Sequence, residues 1–389
     1  MTNLTSKVLP RIEEHHIDTL PLDGDLILPF YDGLSLVNIP NTITQLLDVV
    51  PFGKPPLDET ITVPLGGPYE KVIFLLVDAL GEQLLQKMMR LDDHLVWSRY
   101  FDRAVFSPIT SVCPSTTASA LTTLWTGEGP AAHGIIGYEM WAKEYGMIIN
   151  NIIHSAASAR HDVGGLSRSG FDPHSFLNTP LLGTHLRNQG VSVTTFIQSS
   201  IAHSGLSVMQ MEDVDIHPFV DEADLCVSLA DYVNSRHGIR EYIYVYYSDV
   251  DSLMHRYNAN DQRVAYQFNA FSDIFDKAFL DNVSSTVAKD TLLIMAADHG
   301  SKATPIYDQF ETVNHPNLTD CLVMQPTCEH RLPFFFVKPG RVQDVRDYFE
   351  GTWPDDFLLI DPDDALEGAL FGKGPFHEQA RERLGDLMA

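Results

Sequence analysis

The chain has 389 residues, 44% of them hydrophobic and 20% charged, with a formal net charge of −26. That composition suits a globular protein with a large core, as one large α/β domain with insertions or as two domains. No apolar run approaches the ~20 residues needed to cross a bilayer, the N-terminus lacks the apolar core of an export signal, and a surface this acidic repels nucleic-acid backbones. A cytoplasmic protein with no nucleic-acid polymer as partner and no membrane span is the expectation, and the acidity does not exclude a small phosphate-bearing substrate in a cleft whose local field a metal pair sets.

Residues 1–66 are irregular and rich in Pro, and are expected to wrap over the core. Within them the segment from Asn41 to Val50 predicts a short amphipathic helix capped by Asn41. The first strong strand signal is Lys71–Val77, almost wholly apolar and ending at Asp78. Residues 79–90 then read as a helix, which places Asp78 at the carboxyl end of a strand, where open α/β sheets bind ligands. A helix over 181–189 closed by Gly190 leads to a strand over 191–197. The run Glu241–Tyr247 predicts a strand before Asp249 and Asp251. A helix over 261–282 follows, then a strand Thr291–Ala296 before Asp298. Residues 332–337 make a last apolar strand.

Alternating apolar runs and amphipathic helices predict a mostly parallel, doubly wound sheet flanked by helices. Two segments, 135–180 and 300–330, do not fit the alternation. Both leave the predicted sheet beside its acidic strand ends, so both are expected to cap the site. Four cysteines lack metal-ribbon spacing, and Cys321 and Cys328, which lie close enough to pair across a hairpin, are expected to remain thiols.

The acidic strand ends carry the chemistry. Asp251 and His255 stand four apart, which puts them on one face if the chain turns helical after the strand. Asp298 and His299 are adjacent and converge only at a bend. Each pair alone is readily explained as a helix cap or a satisfied core histidine. Several buried carboxylates and imidazoles together need neutralising partners, and divalent cations supply them. The stretch from Ser111 to Gly127 reads as a loop entering a helix, with Ser115 or Thr116 as N-cap and Gly127 as terminator. A hydroxyl in its first turn lies at the positive end of the helix dipole, which favours an alkoxide or a phosphoryl group there.

In this order the motifs resemble the alkaline phosphatase superfamily, most closely its type I phosphodiesterase/nucleotide pyrophosphatase branch. They are Asp78, Thr117 opening a helix, Thr126-Gly127, His133-Gly134, Asp251-x-x-x-His255, Asp298-His299-Gly300, and a late His before a strand. The resemblance implies an alkaline phosphatase-like catalytic domain over 67–389 that hydrolyses a small phosphate ester through a phosphothreonine intermediate. It implies two divalent ions, zinc or alternatively manganese. One would be held by Asp251, His255 and the late His, the other by Asp78, Asp298, His299 and the nucleophile oxygen. Counting back from Thr126 along the family's spacing gives Thr117 as nucleophile, with Thr116 as the neighbouring register. For the late His, Glu329-His330 before the 332–337 strand favours His330 over His315, which sits in a turn-like sequence suited to a mobile cap.

There are departures from the pattern. Where the phosphodiesterase branch places a phosphate-binding Asn, counting reaches Tyr138, whose phenol donates a single hydrogen bond. Trp141 follows, and both are candidates to bind an aromatic leaving group. No Arg stands near the nucleophile where a phosphomonoesterase would place its clamp. A phosphonate hydrolase or phosphomonoesterase on the same core is the alternative activity. A catalytically silent, metal-stabilised binding protein is the alternative outside enzymes.

Overall fold

Lys71–Val77 is the inner strand of a five-stranded, wholly parallel sheet in the computed structural model, which describes residues 2–389 except 23–25, 93, 101–103 and 160. The strand order is Thr291–Ala296, Lys71–Val77, Glu241–Tyr247, Ser192–Gln198, Asp215–Phe219. The middle strands are continuous apolar runs because side chains on both faces are buried. Val72, Phe74 and Leu76 pack into one cluster with Ala118, Leu121, Leu124 and Trp125 of the helix Thr117–Thr126. Ile73, Leu75 and Val77 point the other way, into a cluster with Leu225, Leu229, Phe268, Phe271 and Phe275.

Register matters more to the site than strand order. Lys71 pairs with Glu241 and Val77 with Tyr247, while Thr291 pairs with Lys71 and Ala296 with Leu76. The three strands therefore stop at one level, and the residues after them leave the sheet along the same edge. Asp78 still belongs to the ladder, its N–H donating to the Tyr247 carbonyl at 2.9 Å.

The helices differ in detail from the sequence reading. The helix after Asp78 starts at Glu82, because Ala79 takes a left-handed φ of 59° and the chain turns before it coils. Asn41 is not a cap: the helix is Ile39–Leu46, and Asn41 lies within it, donating to the Lys54 carbonyl at 2.8 Å. The entry to that helix is fixed upstream, where Ser35 and Asn38 form a reciprocal capping box. The 261–282 segment begins as expected, with Asp261 accepting from the Arg263 N–H. It runs helically as Gln262–Ile274, then widens into a π turn at Phe275–Phe279 and tightens over Leu280–Asn282.

The last predicted strand is in a different sheet. Leu332–Phe335 lies in a six-stranded antiparallel sheet, in the order Leu387–Met388, Leu332–Phe335, Thr327–Glu329, Glu139–Ala142, Met147–Asn150, Ser155–Ala156. The segments 135–180 and 300–330 thus both supply strands to this sheet. These strands are two to four residues long. Runs this short carry almost no periodic signal. Within the described residues no helix is long and apolar enough to cross a membrane.

Candidate metal centre

Asp78, Asp251 and His299 come from three neighbouring strand ends, and each presents a ligand atom within 4.8 Å of the others. Asp78 follows the Lys71–Val77 strand directly. Asp251 lies in the first turn of the helix Asp249–Tyr257, which starts where the Glu241–Tyr247 strand stops. His299 follows Asp298 in the turn after Thr291–Ala296. The Nε2 of His299 lies 3.5 Å from Asp78 Oδ1 and 3.5 Å from Asp298 Oδ2.

Asp298 organises the bend that makes this convergence possible. One oxygen, Oδ1, accepts from the backbone N–H of Ala79 at 3.1 Å and of His299 at 3.0 Å. Its carbonyl accepts from the Ser111 hydroxyl at 2.6 Å, joining the loop before the Thr117–Thr126 helix to the same turn. A Cβ on Gly81 would lie 2.8 Å from the Gly300 Cα, so the turns after two strands touch backbone to backbone. That contact requires the glycine at 81; a Cβ on Gly300 would meet the Gly81 Cα at 3.7 Å.

Thr117 is the first residue of its helix and Thr116 the N-cap. The Oγ1 of Thr117 lies 3.1 Å from His299 Nε2, which favours the Thr117 register. His299 Nδ1 lies 2.8 Å from the Gly300 carbonyl. A carbonyl only accepts, so Nδ1 carries the proton and Nε2 turns its lone pair to Thr117 and the carboxylates. That is the tautomer of a metal-ligating histidine oriented by a carbonyl behind it.

The electrostatics are unfavourable without a cation. Burial, then the charges of Asp298 and Asp251, push the Asp78 carboxyl well above the usual carboxylate range. Burial raises Asp251 as well, against His255 and His299. Burial alone would lower His299, but the Asp298 charge, the Gly300 carbonyl and Asp251 raise it on balance. Asp78 Oδ1 and Asp298 Oδ2 are buried with no hydrogen-bond partner. Orphaned carboxylate oxygens facing one imidazole nitrogen fit a divalent cation in donor type and in charge.

Other expected site residues stand apart from this group. His255 Nε2 is 3.4 Å from Asp251 Oδ2, yet its side chain is 81% exposed. His330 is exposed in the turn between Thr327–Glu329 and Leu332–Phe335. His315 is not on a mobile cap. It is buried, with Nδ1 2.7 Å from the Tyr348 hydroxyl, Nε2 2.9 Å from the Gln309 carbonyl, and its ring against Trp353. Both ring nitrogens are engaged, so it has none to give a metal. Tyr138 is exposed, and Trp141 packs edge-on to Phe336 on the antiparallel sheet. The loop before them is tied to the Thr117 helix, since Ser119 Oγ donates to the Ile135 carbonyl and accepts from the Gly137 N–H.

Three contributors were not foreseen. Tyr246 donates its hydroxyl to Asp78 Oδ2 inside the core. Glu329 is a largely buried carboxylate whose pKa is raised by burial, against the fields of His299, Arg331, His330 and His255. Ser111 anchors Asp298, as above. Tyr246 had a signal in the alternation Tyr242, Tyr244, Tyr246 on a buried strand, since a buried phenol needs a partner. The motif His133 turns out to be structural. Its Nε2 meets Thr123 Oγ1 at 3.1 Å, its Nδ1 accepts from the Ile135 N–H, and burial lowers its pKa to about 3.

A parallel α/β sheet thus gathers three carboxylates and an imidazole at its strand ends, facing a hydroxyl at a helix N-terminus. The chain belongs to the type I phosphodiesterase / nucleotide pyrophosphatase family, whose description matches residues 72–388. Among solved structures it is similar to murine ectonucleotide pyrophosphatase/phosphodiesterase 5, with TM-score 0.57 and 13% identity over 82% of this chain and 78% of that one. An inactive threonine-to-alanine form of the murine protein in complex with AMP gives TM-score 0.54 and 14% identity over 82% and 77%. Phosphonoacetate hydrolase from Sinorhizobium meliloti 1021, in complex with phosphonoformate, gives 0.52 and 16% over 81% and 79%. Comparison with curated proteins found no match.

Proposed function

We propose that this protein hydrolyses phosphodiester or pyrophosphate bonds of a small substrate through a phosphothreonine on Thr117. The observation that carries the reading is the placing of Thr117 Oγ1 3.1 Å from His299 Nε2, beside buried carboxylate oxygens that lack partners. Asp78, Asp298 and His299 would hold one divalent ion, and Asp251, His255 and His330 a second, zinc by ligand type with manganese as the alternative. When bound, such ions supply Lewis acidity and neutralise charge on the transferring phosphoryl group.

The residues of the chain account for the rest. Thr117 Oγ1 forms the new bond to phosphorus as the bond to the leaving oxygen breaks, and the threonine proton ends on the departing oxygen. The phosphoryl group then sits at the N-terminus of the Thr117–Thr126 helix, where free N–H groups and the dipole favour negative charge. Water attacks phosphorus in the second step and the Oγ1–P bond breaks; one water proton returns to Thr117 Oγ1, and the phosphoryl group leaves carrying the water's oxygen. Tyr138 and Trp141 are proposed to flank the leaving group from the loop held on the same helix through Ser119. The AMP complex of the murine protein, made with a threonine replaced by alanine, supports a nucleotide-derived substrate and a threonine nucleophile here.

The test is a panel of a chromogenic phosphodiester, the matching monoester and phosphonoacetate. The diester is expected to have the highest kcat/KM. Thr117→Ala should abolish turnover, Thr117→Ser should keep part of it, and Thr116→Ala should stay active. Chelation should remove activity, and zinc or manganese should restore it. A monoester preference of about tenfold, or ~1.4 kcal/mol of transition-state discrimination, would overturn the diesterase reading. Full turnover by metal-free protein would overturn the metal.

A further inference from the structure

Asp78 has two carboxylate oxygens in different situations. Oδ2 accepts a hydrogen bond from the Tyr246 hydroxyl. Oδ1 is buried without a partner, 3.5 Å from His299 Nε2. The difference follows from the sheet. Tyr246 pairs with Leu76 on the adjacent strand, so its side chain rises on the same face and at the same edge as the carboxylate two residues further on.

The Tyr246 ring is itself held. It lies nearly parallel to Tyr244, at 6.5 Å between centroids and 8° between planes. Tyr244 stacks on Phe74 at 6.1 Å and meets Trp125 edge-on at 5.1 Å. Trp125 belongs to the helix that opens with Thr117. A phenol fixed in this way has its oxygen already placed, so donating to Asp78 costs it little further ordering.

We infer that Tyr246 is a positioning residue: it occupies Asp78 Oδ2 and leaves Oδ1 as the single oxygen offered to a cation. This rests on the metal-hydrolase reading above. A carboxylate free at both oxygens can rotate or bind through both, which changes the coordination number and moves the ion. A carboxylate tied at one oxygen presents the other along a fixed direction, which is how groups behind the direct ligands tune metal sites.

The test compares Tyr246→Phe with Tyr244→Phe. Both remove one buried hydroxyl from the same face of the same strand and keep the ring. Tyr244 has a buried hydroxyl with no partner, so its removal costs no hydrogen bond. Each protein is stripped of metal, and zinc and manganese are titrated in by calorimetry. Tyr246→Phe is expected to weaken one of the sites by about 10- to 100-fold, and to lower kcat more than it changes KM. Tyr244→Phe should keep wild-type metal affinity. Wild-type affinity in Tyr246→Phe would overturn the inference, as would an equal loss in both variants, which would mark core packing as the cause. If the wild-type protein takes up neither ion, the metal-hydrolase reading falls and the inference with it. Metal binding by the wild type with an unaffected Tyr246→Phe removes the role of Tyr246 alone.

Discussion

At the scale of single residues, the metal-type side chains divide by what holds them. Asp298 gives one oxygen to two backbone N–H groups and keeps the other free, so it is both a structural pin and a ligand candidate. His315 is wholly structural. His315→Ala would leave the Tyr348 hydroxyl without its partner, reduce the Gln309 carbonyl to the Trp353 indole N–H alone, and open a hole beside Trp353. The expected loss is about 2–4 kcal/mol of unfolding free energy, measured by urea denaturation, with KM and metal affinity unchanged. A stable His315→Ala protein with altered substrate affinity would return the residue to the substrate site. Asp78, Asp251, Asp298 and His299 were legible in the sequence because each follows an apolar run that could only be a core strand. Tyr246 and Glu329 were not legible as site residues. Their place beside the site depends on register between strands distant in sequence, which no local pattern encodes.

At the scale of elements, the Thr117–Thr126 helix positions the Thr117 hydroxyl proposed as nucleophile, and both its ends are fixed. Gly127 closes it in a left-handed conformation, φ 66°, and a Cβ there would lie 2.8 Å from the Gly53 Cα. Gly127→Ala therefore meets a backbone clash as well as the left-handed penalty of about 1–2 kcal/mol. It should lower the thermal midpoint and, by shifting the helix along its axis, reduce kcat through Thr117 although it lies at the opposite end. Thermal melts and steady-state kinetics on the one variant check both effects, and an unchanged kcat would show that the two ends are mechanically independent. The helix was legible from its cap and its terminator. The antiparallel sheet was not, since its strands are short and two of the contributing segments read as irregular. The π turn at Phe275–Phe279 was also hidden, because Phe271, Phe275 and Phe279 keep the spacing of an ordinary helix face while the backbone widens under them.

At the scale of the whole molecule, the net charge of −26 dominates. Self-repulsion on this scale weakens the folded state and is screened by salt. Raising KCl from about 20 to about 200 mM shortens the screening length roughly threefold. The melting temperature should therefore rise, and kcat/KM for an anionic diester should rise with it if encounter contributes to the rate. A falling melting temperature across that range would show that exposed ion pairs, such as Lys277–Asp273, outweigh the global field, since a buried pair such as Lys71–Glu241 is hardly screened. The parallel core of the fold was legible from composition and alternation alone. The second sheet requires segments near residues 140, 330 and 388 to meet, and sequence periodicity does not report such meetings.

The contact between Gly81 and Gly300 has a consequence for how this protein can change over time. With a Cβ on Gly81 lying 2.8 Å from the Gly300 Cα, the turn after Asp78 is seated directly on the turn after His299 and position 81 has no room for a side chain, whereas a Cβ on Gly300 would meet the Gly81 Cα at an ordinary 3.7 Å. New specificities must therefore arise elsewhere. The side chains of Tyr138, Ile306, Tyr307 and Val313 are exposed, and replacing them would not disturb the packing of that junction. Substitutions should accumulate there and leave Gly81 untouched, so the junction of the two turns is inherited as a unit while the surface around it evolves.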